Sequence, residues 1–460
     1  MAVALHTAFL GEMKEMLGTE YDDYLTCMAQ PHERGIRVNT LKFPVAERER
    51  LGLALEPCPF APDGFYLRSS EGSVGRSPWH HAGAFYSQEP SAMSAVTVLN
   101  PQPGDRVLDV CAAPGGKSTQ MAAALQGEGL LWSNEYVKKR AQILLSNLER
   151  MGVRNAVVSN THPDILAAKL SGFFDKVLVD APCSGEGMFR RDPAAVSEWS
   201  PEHSKACAVR QLAILESAAE CVCEGGVLVY STCTFSFCEN EDVAAAFLER
   251  HPEFVMEDSG VTFGRPGFNR SDAFDLTLAR RIFPMDGGEG HFVARLRKTG
   301  GNSSGFFTDS MKISKPNDTE KRAAALFEEC FTCAPYGEIV RIGESCYLQP
   351  MTLHNIPDLR GLGILRGGVL LGDVLRGRIE PSHALFMAMK PEECRRAVSF
   401  APDSAALSAF LHGEETELPA SSAGWKGFTA VACGNTVTGF GKASGGRLKN
   451  RYPKGLRTLH

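Results

Sequence analysis

"DRVLDVCAAPGGKSTQ", residues 105–120, decides the fold. An apolar run through Val107, Leu108 and Val110, broken by Asp109, passes into a turn of small residues and then into helically spaced apolar positions. That order predicts a strand, a tight turn and a helix. The same signals return downstream: "GLLWSNE" (129–135), "NAVVSN" (155–160), "FDKVLVDAPCSG" (174–185) and "GGVLVYSTCT" (225–234) read as strands. Between them, "VKKRAQILLSNLERMG" (137–152) and "SKACAVRQLAILESAAECV" (204–222) read as helices. Near-continuous apolar strands alternating with helices indicate a parallel sheet covered on both faces. Residues 105–298 are therefore expected to form a doubly wound, Rossmann-like α/β domain.

Outward from that domain, 460 residues with 43% hydrophobic content exceed one core and predict about two to four domains. The Gly/Ser-rich stretch "GGNSSGFFTDSMKISKPNDTE" marks a linker at 299–320, and a weaker polar interval, "HGEETELPASSAG", separates 321–412 from a compact β unit at 413–460. Residues 1–104 combine a helical start with "GIRVNTLK" and read as a small α/β appendage. No apolar run approaches the ~20 residues of a membrane span. The opening "MAVALHTAFLGEMKEML" lacks a basic leader and a cleavage site, so a cytoplasmic protein without a membrane partner is expected. The 14 cysteines are scattered, as in a reduced protein. "CFTC", Cys330 and Cys333, is the lone CxxC, and no metal site is expected.

The net charge of −6 argues against a general polyanion coat. Residues 441–460 nevertheless carry Lys442, Arg447, Lys449, Arg451, Lys454 and Arg457 with no acid, and Tyr452 lies among them. Such a tail either tracks a phosphate backbone or keeps a terminus soluble.

In an open α/β sheet ligands bind beyond the carboxyl ends of the strands. The first such loop runs through Cys111, Ala112, Ala113, Pro114, Gly115 and Gly116 to Lys117, where small residues admit close approach of backbone N–H groups to a ligand. Its spacing is neither that of a P-loop nor GxGxxG. Glu135 ends the second strand, twenty-six residues after Asp109. An acid there suits a ribose diol better than its plainer role, a helix-start acid favourable to the dipole. The fourth strand ends in Asp180, Ala181, Pro182 and Cys183, the fifth in Ser231, Thr232, Cys233 and Thr234. A lone cysteine there is commonly a small core residue. Two at adjacent strand ends, beside an acid and an adenosine-type pocket, point to thiolate chemistry.

Together "VLDVCAAPGGKSTQ", "NEY", "VLVDAPCSGEG", "YSTCTFSFCENE" and "FPMDGGEGHFVARL" resemble the Nop/Sun family of RNA (cytosine-5) methyltransferases, over about residues 30–298. "GIRVNTLK" and "FYSQEPSAM", with Arg37, Asn39 and Gln88, are similar to its upstream elements. "KNRYPKGLR" resembles a bacterial branch that acts on small-subunit ribosomal RNA and ends in a PUA-like RNA-binding unit. The resemblance implies that Cys111, Ala112, Ala113, Pro114, Gly115, Gly116, Lys117 and Glu135 hold S-adenosylmethionine, with Asp180 at the methyl-transfer site and against the cofactor. It implies Cys233 as the nucleophile toward cytosine carbon 6 and Cys183 as the helper in release. In DNA cytosine methyltransferases the nucleophile instead follows proline, as Cys183 does, and this is the rival assignment. RNA is the implied partner: 16S ribosomal RNA in the small subunit or its precursor, with transfer RNA open as an alternative and a non-catalytic assembly factor as another. The appendage at 1–104 would then bind RNA, and nothing demands more than a monomer. One departure stands out: the family commonly carries an acid after the third strand, where this chain has Asn160, Thr161, His162 and Asp164, and the adenine contact is left unassigned.

Overall fold

The parallel strands form at β1 (Arg106–Asp109), β2 (Leu130–Asn134), β3 (Ala156–Ser159), β4 (Phe174–Asp180) and β5 (Val222–Thr232). They are the centre of a computed structural model that describes residues 5–68, 74–300, 315–356, 358–375 and 377–458. Two antiparallel strands, β6 (Arg280–Ile282) and β7 (His291–Lys298), extend the order to β3-β2-β1-β4-β5-β7-β6, and the short strands Arg265–Pro266 and Phe254–Met256 pair with β6 and β7. The strand order reverses at β1 and β4, the switch point at which such sheets open a crevice. The crossovers carry α1 (Gly116–Leu125), α2 (Lys138–Arg150), α3 (Pro163–Lys169) and α4 (Pro201–Cys221), and α5 (Glu241–Arg250) follows β5. Ser200 caps α4 by accepting the His203 N–H at 3.1 Å, with Pro201 in the first turn. Such a cap contributes about 1 kcal/mol.

All five residues of β2 are buried, which explains its unbroken apolar reading. Leu130 and Trp132 face one core with Phe174, Val179, Tyr230 and Phe247, while Leu131 faces the other with Met121, Leu144, Leu178 and Val229. A doubly covered sheet needs apolar residues on both faces, so alternation disappears.

The chain before β1 is not a detached appendage. Its four-stranded antiparallel sheet runs Leu55–Pro57, Gly64–Leu67, Gly35–Val38, Phe85–Ser87. From the middle of that sheet the buried Arg37 donates to Thr119 Oγ1 in α1 at 2.8 Å and to Gln88 Oε1 at 3.3 Å. Asn39 donates to the carbonyls of Gly83 at 2.8 Å and Met151 at 2.9 Å. Met93, Val96, Val98 and Leu99 belong to the same apolar cluster as Val107 and Leu131, so the expected boundary at 104 crosses a continuous core. Helices Thr7–Leu17 and Tyr21–Met28 set Phe9, Met13 and Tyr24 against Phe189, Trp199 and Phe235, on the chain that follows β4 and β5.

Of the expected linker, 301–314 lies outside the described residues, and helix Asp318–Cys330 begins within its last residues. A four-stranded antiparallel sheet follows, Glu338–Ile342, Ser345–Gln349, Val369–Leu375 and Arg378–Pro381. Between its second and third strands, Ile364–Gly367 leaves to pair antiparallel with β3, so the parallel sheet gains an edge strand from the next unit. The last sheet comprises Ala397–Phe400, Gly427–Cys433, Thr436–Ser444, Arg447–Asn450 and Thr416–Glu417. Its start corrects the boundary expected at 413: Ala397–Phe400 pairs in parallel with Gly427–Cys433, and the polar interval at 412–424 is internal to the unit. Among the described residues no helix is long and apolar enough to cross a membrane. The fourteen cysteines are free thiols, Cys330 lies in an apolar core, and no group of His, Cys, Asp and Glu among the described residues could hold a metal ion.

Candidate active site

The loop after β1 is fixed from three sides. Ala112 N–H donates to Asn134 O at 2.8 Å, Arg140 donates to Ala113 O at 2.8 Å, and Asn147 donates to Pro114 O at 2.8 Å. Gly115 takes φ 113°, a left-handed conformation that glycine adopts without strain, and a Cβ there would come within 3.2 Å of Leu144. Cys111 is half-buried in this loop, and burial pushes its thiol up. Two buried carboxylate oxygens at this loop accept no hydrogen bond among the described residues: Asp109 Oδ1 and Glu135 Oε2. Burial, partly offset by the 2.6 Å hydrogen bond from Ser118, pushes the Asp109 carboxyl up to about 7. Glu135 spends its other oxygen on Val137 N–H at 2.8 Å, and Arg140 stands 3.6 Å away. A glycine cradle flanked, just past β2, by a buried acid whose Oε2 accepts no hydrogen bond among the described residues fits an adenosine ribose.

The loop after β3 has its polar groups committed. Asn160 donates to the carbonyls of Glu135 and Tyr136, each at 2.7 Å, and Asp164 accepts from Ser217 at 2.6 Å. His162 caps α3, and Thr161 is buried.

Across the crevice, Lys117 Nζ donates to Asp180 Oδ2 at 2.7 Å, and Ser231 donates to Oδ1 at 2.8 Å. Burial would raise the Asp180 carboxyl, but Lys117, His291 and these hydrogen bonds outweigh it and hold the group below its ordinary range. Burial likewise opposes the Lys117 charge, and attraction to Asp180 wins, so the ammonium is held above its ordinary range. His291, one residue before the Phe292–Thr232 pair, lies with Nε2 3.9 Å from Asp180 Oδ1. Its ring is 3% exposed, and burial together with Lys117 pushes it down to about 4, so it is neutral near pH 7.

Cys183 and Cys233 are brought together: their sulfurs lie 3.3 Å apart. The hydrogen bond to Cys233, reinforced by burial, holds the Cys183 thiol well above its ordinary range. The two loops also meet through Ser184 Oγ and Thr234 Oγ1 at 2.9 Å, and through Gly187 N–H on Cys233 O at 2.9 Å. A Cβ on Gly187 would lie 2.7 Å from Gly290 O and 3.0 Å from Cys233 O, so only glycine permits this approach. Behind Cys233, Arg281 donates to Phe235 O at 2.7 Å and is paired with Glu241, both fully buried.

Every candidate site residue from the sequence therefore lies at this crevice, in two groups: Cys111–Lys117 with Glu135, and Cys183 with Cys233, joined by the Lys117–Asp180 pair. Sequence reasoning missed His291, Glu186 and Glu239. Their signal was an ionisable residue inside the quoted motifs "GEGHF", "CSGEG" and "CENE". Tyr452 requires a correction: it is 3% exposed and bonds His81 Nδ1 at 2.9 Å, so it fastens the last unit to the N-terminal region and offers no stacking face. Lys442 and Lys449 are exposed and directly opposed across an antiparallel pair.

Four family models match the chain: "N-terminal domain of 16S rRNA methyltransferase RsmF" at 5–90, "16S rRNA methyltransferase RsmB/F" at 96–297, "RsmF rRNA methyltransferase first C-terminal domain" at 326–389, and "Methyltransferase RsmF PUA domain" at 397–458. The ribosomal RNA small subunit methyltransferase F of Escherichia coli is 40% identical over 305 residues, 64% of this chain. That of Escherichia fergusonii is 40% identical over 308 residues. The match spans 63% of the length of each of these relatives. A methyltransferase homologue from Pyrococcus horikoshii superposes with a TM-score of 0.55 at 29% identity, covering 64% of this chain and 100% of that one. NSun6 from the same organism, solved with SFG, shares the fold at a TM-score of 0.56 and 23% identity, covering 64% of this chain and 99% of that one.

Proposed function

Since the chain belongs to the RsmB/F family of 16S rRNA methyltransferases, whose members depend on S-adenosylmethionine, we propose that it methylates carbon 5 of a cytosine in small-subunit ribosomal RNA. The observation that carries this reading is the contact of Cys183 and Cys233 at 3.3 Å beside the Lys117–Asp180 pair. Carbon 5 of cytosine is a weak nucleophile until a thiolate has added to carbon 6. Cys233 makes that addition; after methyl transfer the carbon 5 proton leaves to a base, the carbon 6–sulfur bond breaks with its electron pair returning to the Cys233 sulfur, and Cys183, 3.3 Å away, is the helper in this release. Asp180, kept ionised by Lys117, accepts hydrogen bonds from the cytosine amino group and so orients the ring, while the Lys117 ammonium beside it offsets the negative charge that builds on the pyrimidine.

S-adenosylmethionine, when bound, supplies the electrophilic methyl group. Cys111, Ala112, Ala113, Pro114, Gly115, Gly116 and Lys117 form its cradle, Glu135 receives the ribose, and Asp180 borders both ligands. The target base must leave its stack to reach the thiols, which favours a loop or a flipped nucleotide. Placement on RNA falls to the last sheet. Like charges directly opposed across a strand pair are unfavourable without a counter-charge, and Lys442 and Lys449 are so opposed, which supports a phosphate backbone as their partner.

Labelled S-adenosylmethionine incubated with naked small-subunit RNA, assembled small subunits and total transfer RNA, followed by mapping of 5-methylcytosine, tests the substrate. Label in a ribosomal substrate is expected, and label confined to transfer RNA would overturn the choice. On denaturing gels Cys233→Ala is expected to give neither product nor adduct. Cys183→Ala is expected to remain trapped on RNA, and a trapped adduct from Cys233→Ala would sink the assignment.

A further inference from the structure

Nothing covalent joins the loops after β4 and β5, yet their sulfurs meet at 3.3 Å. The loops exchange buried carboxylates reciprocally. Glu186, three residues past Cys183, accepts the N–H of Phe235, two residues past Cys233, at 2.8 Å. In return Glu239, six residues past Cys233, accepts the N–H of Ser184, which adjoins Cys183, at 2.9 Å. Both side chains are sealed from solvent, at 2% and 0% exposure. Each is aimed by a further donor: Trp199 Nε1 on Glu186 Oε1 at 2.8 Å, and Gln211 Nε2 on Glu239 Oε2 at 2.8 Å. Gln211 is itself held by the Tyr230 hydroxyl at 3.1 Å.

Burying a carboxylate is costly, and apolar side chains of similar volume would pack such a site more cheaply. Two such acids, each spent on the backbone of the opposite cysteine loop, have a purpose that packing does not supply. We propose that Glu186 and Glu239 are positioning residues that lock the two cysteine loops in register and so set the distance between the thiols, on which release of the RNA adduct depends. The part concerning release rests on the assignment of Cys233 as nucleophile and Cys183 as helper. The part concerning distance does not. Glu239 adds an electrostatic bias, because its charge disfavours a thiolate at Cys183.

The test uses Glu186→Gln and Glu239→Met in the full chain, because both bonds to Glu239 end on one oxygen, Oε2, which an amide would keep. Glutamine keeps the volume, but an amide has one acceptor oxygen where Glu186 offers two to Trp199 and Phe235. The first readout needs no RNA: diamide, a two-electron thiol oxidant, takes two electrons and two protons from Cys183 and Cys233, forming one S–S bond and a hydrazine. Disulfide formation between these two residues, followed by peptide mass spectrometry, is expected to slow by at least about tenfold in each variant, since a displacement near 1 Å suffices for such a loss. The second readout is the gel: each variant is expected to complete a first methyl transfer and then accumulate adduct, as Cys183→Ala does. Wild-type oxidation rates in both variants would overturn the proposal. Slowed oxidation with no adduct from any protein, Cys183→Ala included, would keep the distance-setting role and reject the nucleophile assignment instead. Should either variant fail to melt cooperatively, Trp199→Phe removes the outer donor to Glu186 alone. It is expected to slow oxidation by a smaller factor, and an unchanged rate there would count against the proposal.

Discussion

Lys117 and Lys449 carry the same charge in opposite circumstances. Lys117 is enclosed and bonded to Asp180 at 2.7 Å, whereas Lys449 stands in solvent facing Lys442. The contrast extends to their surroundings. Around the crevice Arg37, Arg281, Glu186, Glu239 and Glu241 are all buried, each with fixed partners. In the last sheet Arg447 and Arg451 reach Glu415 at 2.9 Å and Glu380 at 3.6 Å from exposed positions. A buried charge acts on the atom it touches and is costly to strip of its partner, while exposed charges act together, over distance, and yield to salt.

The sharpest way to break the comparison is Lys117→Met. Without the ammonium, Asp180 loses the main force holding its carboxyl low, and kcat is expected to fall by at least about a hundredfold. Because the Asp180 pKa must then rise and its ionised form is the active one, the acid limb of a single-turnover pH–rate profile should move to higher pH. A profile that only drops, without moving, would show that Lys117 does not act through Asp180.

Next in size is Arg281→Met, which leaves Glu241 buried and unpaired. Equilibrium urea unfolding should register a loss of about 3–5 kcal/mol. A loss under about 1 kcal/mol would place this pair with the surface charges.

A titrating group between the two regimes is His291. Its folded value of about 4 lies below the ordinary 6.5, so between these values the unfolded chain takes up a proton that the folded chain refuses. The sign follows: stability is full above pH 6.5 and is lost as pH falls toward 4. From pH 6.5 to 5 the wild type should lose about 2 kcal/mol more than His291→Asn, whose side chain does not titrate. Equal losses in urea titrations at the two values would show that the ring is not held neutral by the fold.

The smallest effect on the protein itself belongs to Lys442→Ala with Lys449→Ala. Unfolding should shift by less than about 1 kcal/mol, toward greater stability, because a like-charge pair is removed. The slope of log affinity for RNA against log salt should fall by about 0.7 to 0.9 per lysine. An unchanged slope would leave these side chains as solubilising charges.

Much of this contrast was legible in the sequence, and its gaps have a common cause. Strands β1 to β5 and the thiols at their ends announce themselves within a dozen residues, through apolar runs, the small-residue turn at 112–116 and a cysteine placed after Pro182. What stayed hidden is long-range. The pairing of Ala397–Phe400 with Gly427–Cys433 joins strands thirty residues apart, and the last unit was expected to begin too late because no local pattern marks a parallel partner. Glu186 and Glu239 were visible as acids, but their burial and reciprocal bonds exist only once two loops meet. Tyr452 read as an RNA-facing aromatic because composition records neighbours in sequence and says nothing of the His81 that encloses it in space.

The strand Ile364–Gly367, lying along the outer edge of β3, has a consequence for synthesis. β3 is complete by Ser159, and the sheet's last internal strand by Lys298, but the segment that covers this edge is made sixty-six residues later. At about 5–20 residues per second, the nascent sheet waits on the order of several seconds with a row of unpaired N–H and C=O groups exposed to other chains emerging nearby. The sheet is therefore finished by a region made after all of its other strands, and a nascent chain halted before Ile364 presents a sticky border to its neighbours.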